Sequence, residues 1–347
     1  MTEQKFEIHL LQEKDRQEWD EYVQNHPQST FFHLSGWKNA IEKTFGYKPY
    51  YFFAKKDGKI CAILPLFFLQ SLLGGKAMVS LPFAVYGGVC ADDLAATDFI
   101  LEEANKITKE RKAGYMELRQ ISTLKTDLPT KDLYVTFIKE LPSTKEECLE
   151  RFPRKARASA RKGISSGLET QTGLQFLKDF YHIYAVSVRN LGSPVFSFSF
   201  LKNILQEFPK NTDVLMVQYN HKPIAGVLSF FFKDTVLPYF GGSLPEYWEY
   251  QPNNFMYLKL MEYGVEKGYR YFDFGRSKKG TGSYDFKVNQ GFDAQPLFYQ
   301  YCLNTIPAMP DTSSLNPKLG LAIKVWKRLP VWLTKVLGPK VVKMTPP

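Results

Sequence analysis

The sequence contains few cysteines and no long hydrophobic run. Its 347 residues include only four cysteines, none of them in a Cys-x-x-Cys pair, so the sequence predicts neither a disulfide framework nor a cysteine zinc site. The longest apolar stretch, residues 60–69, is about half as long as the roughly 20 residues of a membrane-spanning helix. The polar residues 1–19 contain no secretory signal pattern. We therefore predict a cytoplasmic protein whose thiols stay reduced.

Several patterns of nucleotide, metal and hydrolase sites are also missing. No Gly-Lys-Ser/Thr follows residues 275–280, and residues 280–282 lack the further glycine of a dinucleotide fingerprint. The five histidines show no ligand spacing with cysteines or carboxylates, and there is no Gly-x-Ser-x-Gly elbow. We predict no metal and no bound cofactor.

Two stretches of the chain repeat the same order of features. The turn Tyr-Gly-Gly at residues 86–88 reappears as Tyr-Phe-Gly-Gly at residues 239–242. A helical stretch follows each turn, and a Gly-Tyr pair begins 26 positions after the last turn glycine in both copies, at Gly114 and Gly268. A repeat of this length indicates a duplicated α/β domain rather than a solenoid. We expect the ligand cleft to lie between the two copies.

The repeat also predicts the domain boundaries. We assign residues 1–150 to a first domain, 151–167 to a basic joint, 168–303 to a second domain and 304–347 to a basic tail. Each domain is expected to form a mixed sheet flanked by helices, with its last strand at residues 133–139 or 297–303. The loop before the last strand is about ten residues longer in the second copy.

Positive charge is concentrated in the second half. Residues 1–150 carry 19 Lys/Arg against 22 Asp/Glu, a net charge of −3, whereas residues 151–347 carry 26 against 13, a net charge of +13. The joint alone has six Lys/Arg and no acid. On a helix, Arg154, Arg157 and Arg161 would share one face. This face predicts either a bound anion, such as a phosphate-rich donor, or a solvated basic helix.

A second basic segment, residues 273–292, is rich in glycine and follows a strand. Its backbone amides, together with Arg276, Lys278 and Lys279, could surround a phosphate group. The alternative interpretation is a long hairpin with glycine turns.

Taken together, three patterns give a resemblance to a known family. They are the basic run at residues 154–167, the turn at residues 239–242, and Tyr284-Asp285-Phe286-Lys287 followed by Gly291-Phe292. From about Phe31 to Pro339 the chain resembles the Fem family of peptidyltransferases, and most of all the FemAB-like proteins associated with exosortase/PEP-CTERM and exopolysaccharide systems. The resemblance implies an α/β fold of two tandem GNAT-like domains.

The resemblance further implies an activity and a set of site residues. An aminoacyl or acyl group would move from a carrier, in the first place aminoacyl-tRNA, to an amine of a cell-envelope or exopolysaccharide precursor. Lys287 would steady charge on the reacting carbonyl, although it could also be a surface lysine. Arg189 would bind acceptor phosphate. Further contacts with substrate are implied for Tyr239, Trp37, Lys38, Asp92 and Phe286.

Two questions stay open from sequence. Residues 277–282 have Ser where acetyl-CoA-dependent enzymes place Arg or Gln, which disfavours coenzyme A but leaves an acyl-carrier donor possible. In the tail, residues 318–347 carry seven Lys/Arg, no acid and an apolar stripe with two tryptophans. Such helices bind anionic membranes, although this one could instead pack on the first domain. A non-catalytic RNA- or membrane-binding module is the alternative function.

Overall fold

A computed structural model describes residues 6–71, 75–124, 127–310 and 317–344. The helices of these residues are α1 Arg16–Asn25, α2 Ser35–Phe45, α3 Leu94–Glu110, α4 Lys145–Glu150, α5 Arg154–Ser165, α6 Leu177–Leu191, α7 Phe198–Glu207, α8 Pro252–Glu266, α9 Gly282–Asn289, α10 Pro317–Trp326 and α11 Val331–Met344.

The strands form two large sheets and one small one. They are β1 Phe6–Leu10, β2 Lys48–Lys56, β3 Lys59–Ser71, β4 Gly75–Ser80, β5 Cys90–Ala91, β6 Tyr115–Gln120, β7 Thr130–Lys131, β8 Tyr134–Thr136, β9 Ile138–Glu140, β10 Glu169–Thr172, β11 Thr212–Tyr219, β12 Lys222–Phe232, β13 Thr235–Ser243, β14 Tyr271–Asp273, β15 Ser277–Lys278, β16 Gln295–Pro296 and β17 Phe298–Leu303.

The two large sheets have the same plan. In the first, the order β1-β2-β3-β4-β6-β17-β7 places the parallel pair β4 and β6 beside antiparallel strands. In the second, the order β10-β11-β12-β13-β14-β9 does the same with the parallel pair β13 and β14. Helices α3 and α8 make the crossovers that parallel pairing requires. The predicted duplication of a mixed sheet flanked by helices is confirmed.

The final strand of each copy crosses to the other sheet. β9 follows the first copy in sequence but pairs with β14 of the second sheet, and β17 follows the second copy but pairs with β6 of the first. Assigning residues 297–303 to the second domain and 133–139 to the first is therefore wrong at the level of sheet pairing. The small sheet β15-β8-β16 adds a further link, because β8 comes from the first half and its neighbours from the second.

A shared aromatic core holds the two domains against each other. Phe31 stacks on Phe230 with ring centroids 4.3 Å apart, and Trp37 packs edge-on against Phe32, Phe200 and the Tyr239 ring. Helices α2 and α7 also lie in contact. Burial of apolar side chains is the main favourable contribution to folding. This shared core therefore fixes the two domains against each other and gives the cleft between them a rigid base.

The tail packs on both halves of the molecule. Gly338 of α11 lies so close to Val195 that a Cβ at this position would come within 2.7 Å of the Val195 carbonyl oxygen. At the end of α11, the hydroxyl groups of Tyr47 and Ser71 donate hydrogen bonds to the carbonyl groups of Lys343 and Met344. Packing on the first domain, the alternative considered for the tail, thus accounts for part of its surface. No described helix is long and apolar enough to span a membrane.

Candidate active site in the cleft between the domains

A cavity of about 300 Å³ lies where the two domains meet. One wall comes from the segment before α2 and from Tyr86, and the other comes from the β12–β13 turn and from Asp273 at the end of β14. A second cavity of about 280 Å³ continues along the first domain past residues 87–89 and 119–122, and the two share Tyr86. The cleft expected between the copies is therefore present.

The loop between β4 and β5 carries Tyr86 into this cleft. Its backbone is unusual, since Leu81 and Phe83 have φ angles of 50° and 62°, a region that bulky residues rarely enter. Hydrogen bonds from two buried side chains and one partly buried side chain hold its carbonyl groups. Arg119 donates to the carbonyl groups of Leu81 and Ala84, Tyr299 to that of Val85, and Tyr239 to that of Phe83.

Asp273 accepts a hydrogen bond from the Tyr86 hydroxyl at the boundary between the domains. The Tyr86 oxygen lies 3.0 Å from both carboxylate oxygens of Asp273, and the amide of Gly275 donates to Oδ1 at 2.7 Å. The Thr136 hydroxyl is 3.3 Å from the same oxygen. Only 5% of the residue is exposed, and this burial raises the pKa of Asp273 to about 6 although its hydrogen bonds oppose the shift.

Lys287, on helix α9, lies near Asp273. The Thr281 hydroxyl caps this helix by accepting from the amide of Tyr284, and the Lys287 ammonium donates to the carbonyl groups of Gly275 and Arg276 at 2.9 and 3.1 Å. Burial lowers the pKa of Lys287 to about 7, while the charge of Asp273 acts in the opposite direction. Asp273 borders the cavity, whereas Lys287 lies behind it.

The glycine-rich segment is neither a hairpin nor a ring of solvent-facing cations. Residues 282–289 form α9, so the hairpin interpretation is wrong. Arg276 lies over the ring of Tyr134 and donates to the hydroxyl of Tyr299. Lys279 forms an ion pair with Asp132, and the Lys278 ammonium lies over the ring of Tyr134. That these three cations bind a phosphate group remains a prediction.

The residues predicted to contact the acceptor are dispersed. Trp37 is fully buried in the aromatic core, so the expectation that it touches substrate is wrong. Lys38 pairs with Glu42, and Asp92 accepts a hydrogen bond from the Tyr22 hydroxyl. These two are partly exposed, and their role in acceptor binding remains a prediction.

Arg189, Tyr239 and Phe286 also have partners within the protein. Arg189 donates to the carbonyl of Leu329 between the two tail helices. The ring of Tyr239 packs on Phe230, and Phe286 packs near Tyr257. Tyr239 and Phe286 lie near the Asp273 region, whereas Arg189 lies beneath the tail.

The basic joint is helix α5, and its charge is partly neutralised. Glu150, one residue before the segment counted as acid-free, forms ion pairs with Arg157 and with Arg161, the latter at 3.0 Å. The expectation of an uncompensated arginine face is therefore wrong for these two side chains. Arg154 is exposed at the start of the helix, and its binding to a donor phosphate stays a prediction.

Asp273 and Tyr86 were not identified as site residues from sequence. The two copies share one feature here, because the strand that follows the crossover helix has an acidic third residue in both, Glu117 in β6 and Asp273 in β14. Glu117 is paired with Arg119, whereas the groups that donate to Asp273 are two hydroxyls and an amide. In the part of the chain that the structure describes, no group of histidine, cysteine and acidic side chains could hold a metal ion.

Sequence comparison places the site inside a known type of domain. Residues 150–288 match the family model described as an Acetyltransferase (GNAT) domain, and this range contains both Asp273 and Lys287. These residues are therefore similar to a GNAT acetyltransferase domain. No curated protein sequence matches the chain.

Solved structures with the same fold cover most of the chain. FemX is 16% identical, with a TM-score of 0.68 over 86% of this chain and 98% of its own. A C-terminal domain assigned to a lysylphosphatidylglycerol synthetase of Agrobacterium fabrum is 13% identical, with a TM-score of 0.57 over 83% and 91%. A tandem GNAT protein of the clavulanic acid pathway is 8% identical, with a TM-score of 0.56 over 88% and 100%. The predicted fold of two tandem GNAT-like domains is confirmed.

Proposed function

We propose that this protein transfers an aminoacyl or acyl group from a carrier to an amine of a cell-envelope or exopolysaccharide precursor. The observation that carries the proposal is the Asp273–Lys287 cluster, which lies next to the cleft and within the GNAT domain. Buried ionisable groups with shifted pKa values beside a cavity are typical of catalytic sites.

The cluster suits the chemistry of acyl transfer. When an amine attacks an ester or thioester, the carbonyl oxygen becomes an oxyanion in the tetrahedral intermediate. A protonated Lys287 has three N–H groups, of which two are directed at backbone carbonyl groups. Lys287 does not line the cavity itself, so the proposal requires the acyl carbonyl to reach past Asp273 to the third N–H group, where one such donor is worth about 3–4 kcal/mol of activation free energy.

Aminoacyl-tRNA is the donor that we favour. The net charge of +13 on residues 151–347 suits a polyanion. One protein of the same fold is assigned to a lysylphosphatidylglycerol synthetase, a name that associates this fold with an aminoacylated lipid. In the proposed complex, exposed Arg154 at the start of α5 contacts a phosphate group of the donor.

Direct detection of the transferred group tests this function. The purified protein is incubated with aminoacyl-tRNA, acyl-CoA and acyl-carrier-protein donors together with amine-bearing precursors of peptidoglycan and of exopolysaccharide. We expect one donor to give a product whose mass increases by the acyl or aminoacyl group. Absence of transfer from every donor class would contradict the proposal and favour the non-catalytic binding module.

A peripheral contact with the inner face of the membrane is the second part of the proposal. The outward sides of α10 and α11 expose Leu321 (72%), Val325, Trp332 (67%) and Val336. Leu191, at the end of the neighbouring α6, is also exposed. Burying such apolar side chains in an anionic bilayer is favourable, and it is assisted by nearby lysine and arginine side chains. The exposed basic residues of this surface include Lys324, Lys327, Arg328 and Lys340.

Vesicle flotation distinguishes this surface from ordinary exposed residues. The wild-type protein should float with phosphatidylglycerol vesicles and much less with phosphatidylcholine vesicles. The fourfold variant Leu321→Gln, Val325→Gln, Trp332→Gln and Val336→Gln should remain unbound. Leu94→Gln, which changes an equally exposed leucine of the first domain, serves as the control and should float. Equal flotation of the fourfold variant would contradict the membrane contact.

A further inference from the structure

We propose that Tyr86 of the first domain and Asp273 of the second together form the proton acceptor for an amine substrate that enters the cavity between them. The inference rests on the proposed acyl transfer for its chemistry, but the amine site can be tested separately. It adds a base to the site, a group for which the sequence offers no candidate.

The geometry supplies a continuous path for a proton. Tyr86 and Asp273 both border the 300 Å³ cavity, and their oxygens are 3.0 Å apart. The Tyr86 hydroxyl can therefore receive a proton from the cavity while it passes its own proton to the carboxylate. The Thr136 hydroxyl and the Gly275 amide also point at Asp273, and these contacts hold the carboxylate in one orientation.

The remaining walls of the cavity favour an amine on an aliphatic chain. Most are apolar, including Phe31, Phe32, Ile121, Ile138 and Leu237. Lys233 is the cation among the lining residues, and its ammonium donates to the carbonyl of His26 and the hydroxyl of Ser29 at 2.7 and 2.9 Å. With Asp234 and Asp273 on the other side, the cavity suits an ammonium group better than a phosphate.

The proposed reaction balances in bonds and protons without any additional reagent. The bound ammonium first releases one proton to solvent, and the lone pair of the resulting neutral amine then attacks the acyl carbon, so a C–N bond forms and the carbonyl becomes an oxyanion. A proton of the nitrogen passes to the Tyr86 oxygen as the Tyr86 proton passes to Asp273. The C–O or C–S bond to the carrier then breaks, and the proton returns through Tyr86 to the leaving oxygen or sulfur. Enzyme groups end as they began, and the products are an amide and the free carrier.

The competing explanation is that the hydrogen bond between Tyr86 and Asp273 is purely structural. A matched residue, Asp213, allows the two explanations to be distinguished. Asp213 of β11 also accepts from a tyrosine hydroxyl, that of Tyr263 at 3.3 Å, and from a backbone amide. Burial raises its pKa as well. Asp213 is not among the residues that border the cavity, so Asp213→Asn reports the cost of losing a similar hydrogen bond away from the site.

The first measurement uses n-butylamine as the probe and does not depend on turnover. Binding to the wild-type protein is followed by NMR chemical-shift changes from pH 5 to 8. We expect binding to strengthen as pH rises through about 6, where Asp273 ionises, and to weaken at least tenfold in Asp273→Asn but not in Asp213→Asn. No binding to the wild-type protein, or equal binding to Asp273→Asn, would overturn the amine site.

The second measurement uses the donor that gives transfer in the mass assay. Loss of a general base lowers kcat about 10²–10⁴-fold, so we expect this fall in Asp273→Asn together with loss of the acidic limb of the pH–rate profile near pH 6. Tyr86→Phe, which keeps the carboxylate, should lower kcat and retain the limb. A folded Asp273→Asn with wild-type kcat and an unchanged limb would overturn the role. If the protein transfers no group from any donor, the proposed function is contradicted, whereas the binding of n-butylamine still tests the amine site.

Discussion

The two copies of the duplicated domain place a buried carboxyl at equivalent points of their sheets, the third residue of β6 and of β14. In the first copy this carboxyl belongs to Glu117 on β6, which is paired with the buried Arg119 at 2.8 Å. In the second it is Asp273 on β14, where the neighbouring groups are hydroxyls and an amide. Removing one partner of a buried ion pair is strongly destabilising, whereas a buried carboxyl without a cation partner acquires a raised pKa. The first copy therefore uses the position for structure, and in the proposed mechanism the second copy uses it for chemistry.

The glycine turns differ in a related way. Residues 239–242 remain inside β13 and continue to pair with β12, whereas residues 86–88 leave the first sheet after β4 and enter the cleft. The same motif thus extends a sheet in one copy and delivers Tyr86 to Asp273 in the other. The proposed active site between the copies depends on this asymmetry, because each domain would contribute a different group.

Separating the two copies should have the largest effect. A fragment of residues 151–347 lacks β9, and a fragment of residues 1–150 lacks β17, so each exposes an unpaired strand edge in its sheet. We expect neither fragment to unfold cooperatively in thermal melts followed by circular dichroism, and we expect the two to assemble when co-expressed. An isolated 151–347 fragment that melts like the intact chain would contradict the strand exchange.

Removing the cation that pairs with the first-copy carboxyl should have the next largest effect. Arg119→Met leaves the Glu117 carboxylate buried without this cation, although Tyr301 still donates to it, and such changes cost about 3–5 kcal/mol of unfolding free energy. Urea denaturation measures this cost. The control is Arg270→Met, which breaks an exposed pair with Glu140 in the second copy and should leave the midpoint nearly unchanged. Equal midpoints for the two variants would contradict a structural role of Arg119.

The two glycine turns can be compared by matched substitutions. Gly87 has a φ angle of 156°, and a Cβ there would lie 2.6 Å from the Cβ of Leu81. Crowding and backbone strain should lower the unfolding free energy of Gly87→Ala by about 2–4 kcal/mol. At Gly241 the nearest atom to an added Cβ would be the Tyr257 hydroxyl at 3.3 Å, so Gly241→Ala should cost about 1 kcal/mol. The reverse order in urea denaturation would contradict this contrast between the turns.

Asp273 should also affect how stability depends on pH. The folded protein keeps a proton on this carboxyl up to about pH 6, whereas the unfolded chain releases it near 3.8. Between these values the folded state binds more protons, so its stability falls as pH rises, by about 3 kcal/mol in total. Urea midpoints from pH 4 to 7 should show this fall in the wild-type protein relative to Asp273→Asn. Parallel curves for the two proteins would contradict the raised pKa.

Local sequence patterns predicted the duplicated scaffold correctly but not the path of its last strands. The helix predicted over residues 35–45 and the hairpin around Asp57-Gly58 are both present, because caps, turns and periodicity act over a few residues. The aromatic and apolar residues of 298–303 predict a strand but do not indicate which sheet it joins. The choice of sheet depends on contacts distant in sequence, such as that between Tyr301 and Glu117.

The site was harder to predict for a similar reason. Lys287 could be selected from a local motif, but the raised pKa of Asp273 depends on burial beneath Tyr86, which is 187 residues away in sequence. Trp37 illustrates the opposite error, since its motif indicates a substrate contact while Phe32 and Phe200 enclose its ring. Burial created by packing between domains cannot be predicted from either domain alone.

The central claim, that the second copy carries the chemistry, is tested most directly by the single-turnover rate of acyl transfer in Lys287→Met. The matched control is Lys139→Met, because the Lys139 ammonium also donates to a backbone carbonyl, lies over a phenylalanine ring and has its pKa lowered by burial. We predict a rate about 10²–10³-fold below wild type for Lys287→Met and a rate near wild type for Lys139→Met. A folded Lys287→Met protein with the wild-type rate would contradict the claim.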